Sequence, residues 1–461
     1  MAALSTRVLG LTLILVSVWC EDLDGDVLSG GWLPATVDDS MKYYSNLCNV
    51  PKIRSTDMTK EVFEKDFKTK PFILTFANGA KDWVETEHWT LESLTTVYHD
   101  WVLGAGKSLD IVYNGGKGDT NRTFSEFVEE MRNREVPADD FTYLFDRNFY
   151  FNSSLPETIN VPDFLFKEGD PILFIGSSGT GASWHKHMPA WNGVVFGQKR
   201  WFIYPIHRAP PGGLYSFTPT AWLDYIYPKL QSADKPLECV QNAGEIVYVP
   251  ESYYHSVLNI GETIAISIQT KEVTTKTEAE FYSAMDAHYL ATTTENEDTM
   301  AVEYDRADKV YTDLHFLYPY NTDIMAHLSE IACERGDAVR CERILDHILT
   351  IDPWAINSLK LRSRVFYDRK NFSLSERDIT TALSMHPKSK TLLRERANFL
   401  WNVRKSESKR AYQKVLSVLD PNTKEAEEIQ DLLKITDFGP EMEQRLTTDS
   451  TMRDVDLKDE L

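Results

Sequence analysis

The sequence is poor in basic residues and cysteines, and it lacks long apolar runs beyond its first 20 residues. Lysine and arginine total 49 against 70 aspartates and glutamates, which gives a net charge of −21. This acidity argues against nucleic-acid binding through a basic face. Because no apolar run after Cys20 is long enough to cross a bilayer, we expect no membrane insertion.

The five cysteines include no Cys-x-x-Cys pair, so a thioredoxin-type redox function is unsupported. Four of them follow residue 20, namely Cys48, Cys239, Cys333 and Cys341. An oxidising compartment would permit disulfides among these four. Cys333 and Cys341 flank a predicted turn and are candidates for a bridge that closes a helical hairpin.

The two ends of the chain carry targeting patterns. Residues 1–20 hold one charge, Arg7, followed by the apolar run Val8–Cys20, and we interpret them as a cleaved secretory signal, with a signal anchor as the alternative. The last four residues, Lys458–Leu461, read KDEL, a retrieval signal recognised by the KDEL receptor. We therefore expect a resident of the endoplasmic-reticulum lumen, with a flexible tail over 441–461.

Three Asn-x-Ser/Thr sequons agree with passage through the secretory pathway. They begin at Asn121, Asn152 and Asn371. Such tripeptides mark acceptor sites for N-glycosylation when they lie on the surface. The sequence therefore predicts a glycoprotein.

The segment Gly176–Pro205, GSSGTGASWHKHMPAWNGVVFGQKRWFIYP, places His185 and His187 two residues apart on a predicted strand. Residues i and i+2 of a strand point to the same face, so both imidazoles can reach one metal ion. His255 follows 68 residues after His187, a distance that suits a neighbouring strand. Three convergent imidazoles suit Fe(II) or another divalent transition metal. Alternatively, they merely fill the interior and hydrogen-bond to each other.

The sequence of this region resembles that of the JmjC family, in particular its phosphatidylserine-receptor type. The matching motifs are SGTG, AWN and G-x-KRW, followed by AGE, H-x-V-L-N and TIAIS, and the resemblance covers roughly Thr56 to Lys271. It implies an iron- and 2-oxoglutarate-dependent oxygenase with a double-stranded β-helix, or cupin, fold. The family's metal ligands follow a His-x-Asp/Glu…His pattern, so His187 stands where the family has a carboxylate.

The resemblance also implies a pocket for 2-oxoglutarate. In the family, a lysine on the strand after the first ligands pairs with the distal carboxylate of the cosubstrate, and Lys199 occupies that position. Other residues that match pocket positions are Tyr143, Thr180, Asn192 and Ser267. A buried ammonium needs an anionic partner, which a dicarboxylate supplies.

The second half of the chain shows a repeat of 34 residues, the period of tetratricopeptide repeats. The period separates Pro319, Pro353, Pro387 and Pro421. Small and apolar residues recur before the first three prolines with offsets of four and three, and therefore share one helical face; they are Ala307, Tyr311 and Leu314, then Cys341, Leu345 and Ile348, then Ser375, Ile379 and Ala382. We expect helical repeats over 276–440 that dock a protein or peptide, although an irregular helical appendage is the alternative.

Together these patterns predict an α+β chain, with a JmjC/cupin-like domain over 21–275 followed by an all-α, TPR-like domain. Two functions are compatible with them. The first is a lumenal oxygenase, most naturally a protein hydroxylase, that uses Fe(II) and 2-oxoglutarate. The second is a catalytically inactive adaptor or folding factor, which the replacement of the acidic ligand by His187 favours.

Overall fold

The computed structural model of the chain describes residues 29–113, 120–133, 141–419, 421 and 423–435. The predicted signal at 1–20 and the predicted tail at 441–461 lie outside the described residues. Within the described ranges, none of the helices combines the length and apolar character that a membrane span requires.

The N-terminal half is a β-sandwich with helical decoration. Its strands are β1 (Lys52–Arg54), β2 (Phe72–Thr75), β3 (Val102–Lys107), β4 (Thr120–Thr123), β5 (Thr142–Asp146), β6 (Asp170–Gly176), β7 (Gly181–His185), β8 (Ala190–Tyr204), β9 (Leu237–Asn242), β10 (Ile246–Val249) and β11 (Tyr254–Gln269). Their order is β1-β2-β10-β8-β11-β6-β5-β3-β4, with β7 added to β11 and β9 added to β8. The cupin-type sheet predicted for this half is confirmed, but the sheet is not closed.

The two longest strands, β8 and β11, pair with each other along most of their length. The outer partner of β8 changes from β10 to β9, and that of β11 changes from β7 to β6. Both contain a glycine of positive φ, Gly197 at +80° and Gly261 at +76°. A Cβ on Gly197 would lie 2.5 Å from the carbonyl oxygen of Glu262. Glycine therefore permits the change of partner at this position.

Among the described residues, seven short α-helices surround the sandwich: α1 (Val37–Tyr43), α2 (Lys60–Val62), α3 (Leu91–Tyr98), α4 (Ser108–Tyr113), α5 (Phe124–Arg132), α6 (Phe149–Asn152) and α7 (Pro219–Tyr225). Helix α5 begins with a capping box, because Thr123 accepts from the amide of Glu126 and the Glu126 carboxylate accepts from the amide of Thr123. The largest apolar core lies between these helices and the strands. It contains four buried tryptophans, Trp32, Trp83, Trp89 and Trp191.

The C-terminal half is helical, with nine helices among the described residues. They are α8 (Lys276–Thr293), α9 (Glu297–Leu317), α10 (Thr322–Glu334), α11 (Ala338–Ile351), α12 (Ile356–Asp368), α13 (Phe372–Met385), α14 (Lys390–Val403), α15 (Lys405–Leu416) and α16 (Lys424–Ile435). All nine residues predicted to share a helical face are buried. Each repeating proline lies in the loop after a helix, namely after α9, α11, α13 and α15.

The helical half packs on the sandwich. One apolar core contains Phe202 of β8 and Trp222 of α7 together with Ile356 and Leu359 from α12. Beside it, the buried carboxylate of Asp352 accepts a hydrogen bond of 2.8 Å from the amide of Gly212. The two halves therefore share an interior.

The described part of the chain contains two disulfides. One joins Cys333 at the end of α10 to Cys341 in α11, across the turn between them. The other joins Cys48 to Cys239 of β9 across a separation of 191 residues. The sequence did not reveal the second pairing, because only the tertiary fold brings the N-terminal segment beside β9.

Candidate metal centre

Three histidines lie together at one end of the sandwich. His185 is the last residue of β7, and it pairs in register with His255 of β11. His187 follows after the strand has ended, so the prediction that both residues of the His-x-His pair lie on a strand is wrong for His187. The ring centroids are nevertheless 4.2 to 5.3 Å apart. One ligand atom from each ring falls within 4.8 Å of the other two.

Backbone carbonyls orient all three imidazoles. Nδ1 of His185 lies 2.6 Å from the oxygen of Ser183, and Nδ1 of His187 lies 2.6 Å from that of Met188. Nδ1 of His255 lies 3.0 Å from the oxygen of Tyr253. Because a carbonyl only accepts, each Nδ1 carries the proton and each Nε2 presents a lone pair. This arrangement is the one that holds metal-ligating histidines in other proteins.

The distance between two of these lone-pair nitrogens tests whether a metal fits. Nε2 of His187 and Nε2 of His255 are 3.1 Å apart. Two nitrogens bound to one ion at about 2.1 Å lie about 3.0 Å apart at a right angle and about 3.4 Å apart at the tetrahedral angle. The observed spacing therefore allows both nitrogens to bind one ion. Without a cation or proton between them, the two lone pairs would repel each other.

The electrostatics of the cluster keep the imidazoles neutral. Burial lowers the pKa of His185 to about 4. Burial, with a smaller contribution from neighbouring His185, lowers the pKa of His187 to about 3. The pKa of His255 is also well below its ordinary value, for the same reasons. Neutral imidazole is the form that binds a metal ion.

Lys199 of β8 lies in the interior with 1% of its surface exposed. Its ammonium donates to the hydroxyl of Tyr143 at 3.0 Å and to Oδ1 of Asn259 at 2.8 Å. Both partners are neutral, and among the described residues no carboxylate forms an ion pair with Lys199. Burial alone therefore lowers its pKa to about 7. An anionic ligand would supply the missing charge.

The other residues predicted for this pocket fall into two groups. Tyr143, Asn192 and Ser267 line the same cavity as Lys199. Oδ1 of Asn192 is buried and has no hydrogen-bond partner among the described residues. Thr180 lies behind the cavity, where its hydroxyl accepts from Nδ2 of Asn259 at 2.9 Å. It supports the pocket only through Asn259.

Sequence reasoning missed Asn259 as a hydrogen-bond partner of Lys199. It follows His255 by four residues on β11, and an even spacing places both on one face of the strand. The asparagine stands in the H-x-V-L-N motif that supported the family resemblance. Its position relative to His255 was therefore a usable signal.

One cavity of about 300 Å³ unites the histidines with Lys199. Its walls include Phe174, Trp191 and Val257, and it is also lined by Arg147, Tyr215 and Tyr282. Its volume lies at the lower end of the range for small-molecule sites. Tyr282 belongs to α8, so the helical half contributes to the cavity.

The remaining predicted sites lie away from this cavity. Asn121, Asn152 and Asn371 are exposed, as glycosylation acceptors must be. Asn371 also caps α13, where its side-chain oxygen accepts from the amide of Leu374.

An open cupin-type sandwich with three histidines and a buried lysine in one cavity defines the class of protein. A family model described as "Cupin-like domain" matches residues 60–304. The chain belongs to this cupin-like family, whose JmjC members the sequence motifs already resembled.

Curated relatives share this domain. The chain is 36% identical over 154 residues to "JmjC domain-containing protein 8" of Mus musculus, covering 31% of this chain and 55% of that protein. It is 27% identical over 265 residues to "Arginine-specific demethylase JMJ22" of Arabidopsis thaliana, covering 53% and 50%. It is 30% identical over 148 residues to "2-oxoglutarate and iron-dependent oxygenase JMJD4" of Mus musculus, covering 29% and 33%. The matches thus span about half or less of these three relatives.

Proposed function

We propose that this protein is a JmjC-type oxygenase that uses Fe(II) and 2-oxoglutarate, and that it hydroxylates protein side chains. The observation that carries the proposal is the meeting of three Nε2 lone pairs and one uncompensated ammonium in a single cavity. Relatives named as demethylases and as a 2-oxoglutarate and iron-dependent oxygenase support it.

His185, His187 and His255 would hold the metal, and Lys199 would pair with the far carboxylate of 2-oxoglutarate. When bound, the metal and 2-oxoglutarate would activate O2. The overall reaction would convert a C–H bond, O2 and 2-oxoglutarate into a C–OH group, succinate and CO2. Tyr143 and Asn259 keep the ammonium of Lys199 in place through their hydrogen bonds. Phe174, Trp191 and Val257 exclude water from the cavity.

The metal would differ electronically from that of relatives with an acidic ligand. Three neutral imidazoles leave the centre one unit more positive than two imidazoles and a carboxylate would. Imidazole suits iron, zinc, copper and nickel. The alternative function, a catalytically inactive adaptor, rests on this departure.

The test is an anaerobic titration of the purified protein with Fe(II) and 2-oxoglutarate. We expect the visible metal-to-ligand charge-transfer band of the chelate, and its loss in His185→Ala and in Lys199→Met. Aerobic incubation should then release succinate. A wild-type protein that shows neither the band nor bound iron would favour the adaptor.

We also propose that the protein resides in the lumen of the endoplasmic reticulum, held there by the KDEL receptor. The two disulfides and the three exposed sequons support an oxidising, glycosylating compartment. Deleting Lys458–Leu461 in cells should cause secretion of the protein. Digestion with a glycosidase should raise its electrophoretic mobility, and Asn→Gln at the three sequons should remove that shift.

The helical half is proposed to dock the protein substrate. Three large aromatic side chains on this half are mostly exposed, Tyr289 at 71%, Phe316 at 86% and Tyr320 at 68%. Exposed aromatic residues are frequent anchors in protein interfaces. Phe316→Ser with Tyr320→Ser should weaken substrate capture while leaving the iron band unchanged.

A further inference from the structure

The residue between the first two candidate ligands is held by the helical half. Lys186 lies between His185 and His187, and its ammonium is 3.3 Å from a carboxylate oxygen of Glu278 in α8. The two side chains are only 7% and 1% exposed. The same ammonium lies 3.2 Å from the ring centroid of Phe281, also in α8. The ligand-bearing segment is thus attached to this helix by a buried ion pair.

The residue before the third candidate ligand is held in the same way by α10. The hydroxyl of Tyr254, which is fully buried, donates to the carboxylate of Asp323 at 2.9 Å. It also accepts from Nδ2 of Asn321 at 2.9 Å. Asn321 caps α10 by accepting from the amides of Asp323 and Ile324. The start of α10 is therefore joined to β11 directly beside His255.

These attachments limit how far the ligands can move. A buried ion pair that loses one partner leaves an uncompensated charge in the interior, which is strongly unfavourable. Lys186 therefore strongly favours the conformation in which it reaches Glu278. Because His185 and His187 are its chain neighbours, their backbone is held with it. Four residues after Glu278, Tyr282 of the same helix lines the cavity.

We propose that helices α8 and α10 are part of the metal centre, with Glu278, Lys186, Tyr254 and Asp323 as positioning residues. They fix the separation of His187 and His255 through contacts on the helical side. The inference rests on the proposed function, because it assumes that the three histidines bind a metal. It gives the helical half a role besides docking, since α8 and α10 would hold the ligand-bearing segments in place.

The experiment measures the affinity of the full-length protein for Co(II), a probe whose visible spectrum reports coordination geometry. Glu278→Gln and Tyr254→Phe should each weaken binding by about 10- to 100-fold, the usual effect of removing support behind metal ligands. Both should also alter the Co(II) spectrum. The matched control is Asp378→Asn, which breaks a buried ion pair with Arg362 within the helical half and away from the ligands. It should lower stability to urea without changing affinity or spectrum.

A double variant distinguishes the loss of ligand positioning from the effect of an added positive charge on metal affinity. Glu278→Gln leaves an extra positive charge near the ion, which would weaken binding by repulsion alone. Adding Lys186→Met removes that charge but does not restore the attachment, so affinity should stay low while stability recovers. Recovery of affinity in the double variant would overturn the inference, as would wild-type affinity in Glu278→Gln and Tyr254→Phe. If the wild-type protein binds no Co(II) or Fe(II), the proposed function itself fails and the inference falls with it.

Discussion

At the scale of single residues, the chemistry of the centre depends on which nitrogen of each imidazole carries the proton. Three carbonyl oxygens, those of Ser183, Met188 and Tyr253, settle this for all three rings. The result is a set of neutral donors with no carboxylate among them. Charge and donor type, rather than shape, therefore distinguish this site from one with an acidic ligand.

The substitution His187→Asp tests the effect of that charge. An aspartate would make the centre one unit more negative, and hard ions bind carboxylate better than imidazole. We expect tighter Fe(II) and Mn(II) binding relative to Zn(II), measured by metal competition. Turnover of 2-oxoglutarate that appears only in the variant would instead show that the natural protein is inactive.

Lys199→Met tests the anion site. A hydrogen bond to a charged group contributes about 1.5–3 kcal/mol, so affinity for 2-oxoglutarate should fall about 10- to 100-fold. Stability should be unchanged or higher, because an uncompensated buried charge is replaced by an apolar side chain. Calorimetry and urea unfolding measure the two effects. Lys271→Met, at an exposed position, is the control and should change neither.

At the scale of secondary-structure elements, the sandwich depends on two long strands that change partners at glycines. Gly197 has φ at +80°, and its missing Cβ leaves room for the carbonyl oxygen of Glu262. A side chain there would meet both a strained backbone and a clash.

Gly197→Ala should therefore lower the free energy of unfolding by about 2–4 kcal/mol, measured in urea. Gly79→Ala is a matched control, because Gly79 has φ at +60° but nothing within 4 Å of its missing Cβ. It should cost only about 1 kcal/mol, the backbone contribution alone. Equal losses in the two variants would show that the clash is relieved at no cost.

The helical repeats show a second use of positive φ. Gly336 has φ at +76°, and Lys370, 34 residues later, has φ at +60°. Both follow the first helix of a hairpin, α10 and α12. The two hairpins thus end their first helices with the same left-handed backbone conformation.

At the scale of the whole molecule, the two halves meet around a buried carboxylate. Asp352 accepts from the amides of Gly212 and Trp354, at 2.8 and 3.1 Å. Burial nevertheless raises its pKa to about 7, and the charge of Arg208 offsets this only in part. The charged form of Asp352 is therefore a cost to the folded state.

This cost predicts a pH dependence. The carboxyl group of an unfolded chain titrates near pH 3.9, so between about pH 4 and 7 the folded protein binds a proton that the unfolded chain does not. The contribution of Asp352 to stability therefore falls as pH rises through this window, by an amount on the order of a few kcal/mol. Above pH 7 the full cost is present.

Asp352→Asn should remove that dependence. The free energy of unfolding of the variant should be lower than that of the wild type at pH 5.5 and higher at pH 7.5, because an asparagine side chain cannot ionise. Urea unfolding of both proteins at the two pH values measures the difference. An identical change with pH in both would mean that Asp352 ionises equally in the folded and unfolded states.

Much of the site was predictable from the sequence. His185, His187, His255, Lys199 and Tyr143 were identified from spacing and family resemblance, and they share one cavity. The apolar positions of the helical repeats were predictable because helical periodicity is local. Thr180, by contrast, was assigned to the pocket because a motif names residues without showing which of them reach the cavity.

The sequence by itself determined the residue types of the centre, the cupin-like family and the helical period, because each is written in short patterns or regular spacings. Only the tertiary structure decided the Cys48–Cys239 pairing, the support of Lys199 by Asn259, and the attachment of Lys186 to Glu278. These contacts join residues from 60 to 191 positions apart. No local pattern specifies such pairs, since they exist only where the packing of strands and helices removes both partners from water.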